Sequence, residues 1–214
     1  MKRTPKPSRN PAGRPKDASK RADIVRAAET LFMQKGYEGT SVLAVAKKAS
    51  VSKLTIYSHF ADKDALFREV ITERCNKYIT PDSFIDFADK PVRETLIKIG
   101  HRFTALLFNN DALCLHRLVH GEVGRHPNVV KIFFEAGPKR VRGEFTALLE
   151  AWKKRGKIQI ADPYQAAGHF FALIKGEMHM RSILRITPAP TPAEIEKHVQ
   201  GAIFVFLSAY KDKK

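Results

Sequence analysis

Three residues at fixed spacing constrain this chain more than any other feature: Ala46, Val51 and Ile56. Two short helices that cross closely at a tight turn need a small residue at the crossing. They also need an apolar plug in the turn and an inward apolar residue on the second helix. Ala46, Val51 and Ile56 supply these in that order. Thr40 or Ser41 can cap a first helix over Val42–Ala49, and Ser52 can cap a second from Lys53 to Phe60. The second helix, inside "ASVSKLTIYSHF", is poor in apolar residues. Ile56 and Phe60 stand four apart and therefore share one edge. Lys53, Thr55, Tyr57, Ser58 and His59 fall on or beside the opposite edge, which is predicted to meet a partner.

The flanking segments are helical by the same test. Ile24, Ala27, Ala28, Leu31 and Phe32 recur at steps of three and four, with Gly36 placed to end that helix. A helix from Lys63, capped by Asp62, carries Leu66, Phe67, Val70 and Ile71. Longer helices are predicted over Pro91–Phe108 and Ala112–Gly124, and from Pro127 to about Arg155 with a bend or break at Gly137-Pro138. Asp162-Pro163-Tyr164-Gln165 and Thr191-Pro192-Ala193-Glu194 each place a cap, a proline at the first helical position and Gln or Glu at the third. Only Lys157–Ile160 resembles a strand. The fold class is therefore all-α, with about nine helices. The chain divides into an arm (1–21), a helix-turn-helix domain (22–70) and a larger helical domain (71–214).

Charge narrows the partner. The formal net charge is +16, and residues 1–21 carry eight Lys or Arg against Asp17. Residues 22–73 balance, and the remainder is again basic. A polyanion, nucleic acid first, is the expected partner. The arm holds four prolines before residue 17 and no apolar periodicity, so it reads as disordered or extended. Two cysteines, Cys75 and Cys114, fit reduced thiols and a cytoplasmic protein. Neither a signal peptide nor an apolar run long enough for a bilayer is present, so no membrane partner is expected. Lys53 and Thr55, near a helix N-terminus, can reach base edges; Tyr57, His59 and Lys63 can reach phosphates.

Residues 24–71 closely resemble the N-terminal DNA-binding domain of TetR/AcrR-type transcriptional regulators. The likeness rests on "AAETLFMQKGYEGTSV", "ASVSKLTIYSHF" and "KDALF". The resemblance implies phosphate contacts at Thr40 and Ser41, with Ser52 at the recognition-helix start. It implies base-facing positions at Lys53, Leu54 and Thr55, and backbone clamps at Tyr57, Ser58, His59 and Lys63. Two residues depart from the family pattern. Ser50 replaces a usual turn glycine, which would cost about 1 kcal/mol if the backbone is left-handed there. Leu54 replaces a frequent small residue and either meets a thymine methyl or packs. In "AGRPK", Arg14 suits insertion into a narrow minor groove.

"LHRLVHGEVGRHPNVV", Leu115 to Val130, is similar to the AefR-like C-terminal subgroup at Arg117, Glu122, Arg125 and Pro127. The resemblance implies a homodimer that binds a double-stranded DNA operator near the nucleoid of a bacterial cell and releases it to a small-molecule effector. Expected effector-cavity residues are Phe103, Leu107, His116, His120, Phe134 and Phe170. Expected dimerisation residues on the last two helices are Phe171, Ile174, Met178, Val199, Ile203 and Phe206. His116 and His120 alone do not make a metal site, and no cofactor motif or catalytic signature is present. The chain is therefore expected not to be an enzyme.

Overall fold

The computed structural model describes residues 18–80, 84 and 87–210. Among them are ten α-helical segments and one π-helical turn. The N-terminal group is α1 (Ala18–Lys35), α2 (Val42–Lys48), α3 (Lys53–His59) and α4 (Lys63–Tyr78). Then come α5 (Val92–Phe108), α6 (Asn110–Gly121), α7 (Pro127–Phe134), α8 (Arg140–Lys154), α9 (Pro163–Ile183) and α10 (Pro192–Tyr210). The π turn, Glu135–Lys139, joins α7 to α8 with right-handed helical backbone on both flanks. The two therefore form one rod, and the rods number nine among the described residues, as the periodicity predicts. Gly137-Pro138 neither breaks the rod nor ends it. Pro138 has no N–H to donate, and the wider turn accommodates that loss without a break.

Local chemistry sets the helix starts. Ser41 accepts from the Ala44 N–H, Ser52 from Thr55 and Asp62 from Ala65. Gly36 ends α1 with φ of 74°. Thr191 and Glu194 form a complete capping box: the Glu194 N–H donates to Thr191 Oγ1, and the Thr191 N–H donates to Glu194 Oε2 at 2.7 Å. At α9 only half of the expected box forms, from the Gln165 N–H to Asp162 at 3.0 Å. The predicted α6 begins earlier than its apolar pattern suggested, because Asn109 caps it through the Ala112 N–H. Within Lys157–Ile160 only Ile158 makes an isolated β-bridge, so the segment forms no strand among the described residues. It is an extended link that buries Ile158 and Ile160, and Gln159 N–H donates to the Tyr210 carbonyl at the end of α10.

Two cores result. One lies under α1–α4 and contains Ile24, Phe32, Ala46, Ile56, Phe60, Leu66 and Phe67. It runs on into Leu115 and Val119 of α6 and Val129 and Ile132 of α7, so the small domain does not close its core alone. The other is built from α5, α8, α9 and α10 around Phe145, Trp152, Phe170 and Phe206.

The break in α9 was not foreseen. Gly176 has φ 53° and ψ −173°, outside the helical region, just past Leu173 and Ile174, whose carbonyls face α10. His198 Nε2 on α10 lies 3.0 Å from both. A Cβ on residue 176 would come within 2.7 Å of the His198 ring, so glycine is required there by space as well as by φ.

Ser50 does sit in the left-handed region, with φ 54°. Ser50→Gly is expected to raise unfolding stability by about 1 kcal/mol in urea titration. No gain would mean that the turn carries no strain.

Candidate nucleic-acid interface and effector cavity

The α2–turn–α3 unit is held from inside. Ala46 and Ile56 are buried, and Val51 is half-buried in the turn, with its N–H bonded to the Ala46 carbonyl at 3.0 Å. Beneath it, Phe32 stacks on Tyr37, and Phe67 meets both edge-on at 5.1 and 5.3 Å. The Tyr37 hydroxyl donates to Asp64, and burial together with that carboxylate pushes its pKa up.

The opposite edge of α3 is open. Lys53, Leu54, Tyr57 and Ser58 are exposed, Leu54 to 79%. Leu54 therefore does not pack. Thr55 and His59 are half-buried, and the Thr55 hydroxyl lies 2.8 Å from Ser52 Oγ. Lys53 Nζ stands 5.6 Å from the centre of the Tyr57 ring, so the two side chains share one patch. Lys63 is half-buried with its ammonium 4.1 Å from the Tyr37 ring centre, and burial lowers its pKa. Ser41 is exposed at the α2 start. Thr40 departs from expectation: it is buried, and its hydroxyl donates to the Gly36 carbonyl at 2.8 Å. In this conformation that side chain cannot hold a phosphate. Arg14 lies outside the described residues.

α4 leads from this patch to a cavity of about 340 Å³ in the second domain. Ile71, Arg74 and Cys75 of α4 form one wall. Of the expected cavity residues, Phe103, Leu107, His116 and Phe134 line it. Two do not. Phe170 is core, packed on Phe145 and Phe206, because its side of α9 faces α8 and α10. His120 is exposed, and its Nδ1 lies 2.6 Å from the His116 carbonyl. Phe171, expected at a dimer interface, instead lines the cavity 4.6 Å from Phe103. Sequence reasoning missed Arg74, Lys139, Arg142, Tyr164 and Lys175, which also line it. Their helix faces could be read from the sequence, but their convergence depends on how α4, α8 and α9 pack.

Four of the expected dimerisation residues, Ile174, Val199, Ile203 and Phe206, are buried within the subunit. The clean stripe on α10 closes the subunit's own core. The apolar residues left outside are Phe204, 71% exposed, and Val205, 51% exposed. Their signal was present: they are bulky apolar residues lying off the stripe. Met178, Leu173, Gly201 and Val205 line one shallow groove between α9 and α10.

Among the described residues no helix is long and apolar enough to cross a membrane, and no group of three or more His, Cys, Asp or Glu is placed to hold a metal.

Comparison with known proteins gives two family matches. Residues 24–70 match the model for bacterial regulatory proteins of the tetR family. Residues 94–212 match the AefR-like transcriptional repressor C-terminal domain. IcaR, the HTH-type negative transcriptional regulator of the biofilm operon icaADBC in Staphylococcus epidermidis, is 36% identical over 64 residues, 30% of this chain and 31% of its own. The HTH-type transcriptional regulator UidR of Escherichia coli K12 is 28% identical over 113 residues, 51% of this chain and 54% of its own. The chain thus spans between about a third and about half of the length of these curated relatives. A crystal structure described as a TetR-family transcriptional regulator from Mesorhizobium loti MAFF303099 superposes with a TM-score of 0.77 at 29% identity, covering 93% of this chain and all of that one.

A half-buried imidazole and a buried one beside the cavity give a pH prediction. His116 and His179 meet edge-on at 4.9 Å. Burial, then the charges of His179 and Lys175, holds His116 down at about 3. Burial and Lys175 hold His179 down at about 4. Both stay neutral when folded but protonate near 6.5 when unfolded, so the unfolded chain binds more protons in between. Stability is therefore full above about pH 6.5 and falls as pH drops toward about 4. His116→Phe is expected to flatten that fall in urea titrations across the window; an unchanged slope would refute it.

Proposed function

Because this chain belongs to the TetR family of bacterial transcriptional regulators and carries an AefR-like C-terminal domain, we propose that it is a dimeric, ligand-responsive repressor. It binds a palindromic operator through α3 and acts in the bacterial cytoplasm at the nucleoid. The observation that carries this reading is the division of α3 into two edges. Ile56 and Phe60 are buried, while Lys53, Leu54, Tyr57 and Ser58 face out on the far side. Lys53, Leu54 and Thr55 read bases; Ser41, Ser52, Tyr57, Ser58, His59 and Lys63 hold phosphates. Arg14 of the basic arm enters the adjoining minor groove. The domains follow the roles, with the arm at 1–21, the reading head at 22–70 and the regulatory domain at 71–214.

One reading head contacts too few base pairs for a unique site, so two copies must act together. Phe204, Val205 and the Leu173–Met178–Gly201 groove form the face that meets the second copy, since bulky apolar residues left in water favour association. Effector release follows from the position of α4. Lys63 stands beside the DNA-facing patch, and Ile71, Arg74 and Cys75 stand on the cavity wall. Gly137 of the π turn packs so closely on α4 that a Cβ there would lie 3.3 Å from Ile71. A molecule that fits better when α4 is displaced lowers operator affinity by its difference in affinity for the two states.

Selection of bound duplexes from random sequence tests the reading. A gapped palindrome is expected. A degenerate consensus with a steep salt dependence would mark a DNA coater acting by charge alone. On the selected site, Thr55→Ala should relax choice at one base step, and Lys63→Ala should reduce the salt slope by about 1. Only the first change separates the two readings, since a coater would also lose salt slope with a lysine but has no base choice to relax. Phe204→Glu should convert the dimer to monomer in sedimentation at micromolar concentration, without lowering the thermal midpoint of the subunit core. A dimer that survives would place the interface elsewhere.

A further inference from the structure

We infer that the cavity takes an amphipathic organic anion: a flat aromatic or alicyclic body with one acidic group at its exposed end. This rests on the reading of the cavity as the effector site and adds the chemical class of the effector. The lining divides by depth. Leu107, Ala112, Leu115 and Val141 are buried and apolar. Phe103 and Phe171 tilt together at 4.6 Å, and Phe133 stands edge-on to His116 at 5.3 Å. Such aromatic walls favour a flat ring system over a chain of polar groups. Lys139, Tyr164 and Lys175 are exposed and mark the opening.

Charge then selects the sign of the occupant. Every formally charged lining side chain is cationic, namely Arg74, Lys139, Arg142 and Lys175, and no Asp or Glu lines the cavity. Arg74 is already balanced by Glu29 at 2.6 Å, and it also donates to the Asn109 amide oxygen at 3.0 Å. The other three have no carboxylate within ion-pair reach among the described residues. Arg142 gives its Nε and Nη2 donors to the Tyr164 carbonyl at 3.1 and 2.8 Å and lies 3.7 Å from that ring's centre. The guanidinium is thus fixed in place while its charge remains uncompensated. A cationic occupant would be repelled by all three. A neutral one would leave them as they are, and an anion at the mouth would offset them while its apolar body leaves water. The neutral His116 ring adds a hydrogen-bonding nitrogen to the wall without adding charge.

Two fluorescent probes that share a skeleton test this. 8-Anilinonaphthalene-1-sulfonate carries a sulfonate, and N-phenyl-1-naphthylamine is the same frame without it. Ala172, exposed at the cavity edge, can be changed to Trp to plug the opening without loading the core. In the full-length protein the sulfonate is expected to bind about tenfold more tightly than the neutral probe, the gain of one favourable ion pair in a partly dry site. Lys139→Gln combined with Lys175→Gln should remove most of that preference, leaving only the share of Arg142, and leave the neutral probe's affinity unchanged. Ala172→Trp should exclude both probes. If both are excluded by the plug but bind equally to the unsubstituted protein, or if the lysine variant keeps the preference in full, the anion assignment is overturned while the cavity remains a small-molecule site. If the plug excludes neither, the cavity is not the site of small-molecule binding, and the assignment falls together with the reading beneath it.

Discussion

Everything in this fold that bears on DNA depends on how little of α3 is buried. The helix spans Lys53–His59, and within it only Ile56 is buried; Phe60 follows at its C-cap. Those two side chains, with Ala46 and Val51, fix the helix against α2 at the cost of a single edge. Deleting a buried side chain of this kind typically costs 2 to 5 kcal/mol, roughly. That anchoring lets a very short helix be rigid while presenting its remaining surface to a partner. The caps matter for the same reason. A helix this short leaves much of its backbone N–H set without partners, and Ser52 satisfies one at the end that points toward the binding face.

α4 belongs to both cores and so carries the connection between them. Leu66 and Phe67 pack under the reading head, while Cys75 packs in the second core. Polar contacts reinforce the junction. Arg74 pairs with Glu29 of α1, Arg21 with Glu69, and Arg68 with Glu135 at 3.4 Å. Asn128 donates to Asp64 at 2.6 Å, and His126 lies 3.3 Å from Glu38, tying the α6–α7 connection to the head. A helix gripped at so many points is the element through which the proposed effector release would run from the cavity to Lys63.

The sequence exposed the local parts of this arrangement well. Helix starts at Ser41, Ser52, Asp62 and Thr191 were legible because capping is decided within four residues. The inward edge of α3 was legible because two apolar residues four apart define an edge. What failed was anything requiring a choice between two partners for one apolar face. Ile174, Val199, Ile203 and Phe206 form a stripe that suits a second subunit as well as the subunit's own core, and periodicity cannot tell these apart. Thr40 reads as a cap or a phosphate ligand until the turn at Gly36 claims its hydroxyl. The cavity was half legible, since its aromatic residues lie on predicted faces, while its cations gather only through the packing of α4, α8 and α9. The Gly176 break in α9 gave no more warning than one glycine in an apolar helix.

Single-cysteine labelling along α3 tests the central claim most directly. With Cys75 and Cys114 replaced, single cysteines at positions 53, 54, 57 and 58 should react quickly with a water-soluble maleimide in the free protein and become protected when a selected duplex is added. Cysteines at 56 and 60 should react slowly in both states. Fast reaction at 56 and 60, or outer positions that stay equally reactive under saturating DNA, would contradict the division of α3 into a buried edge and a DNA-reading edge.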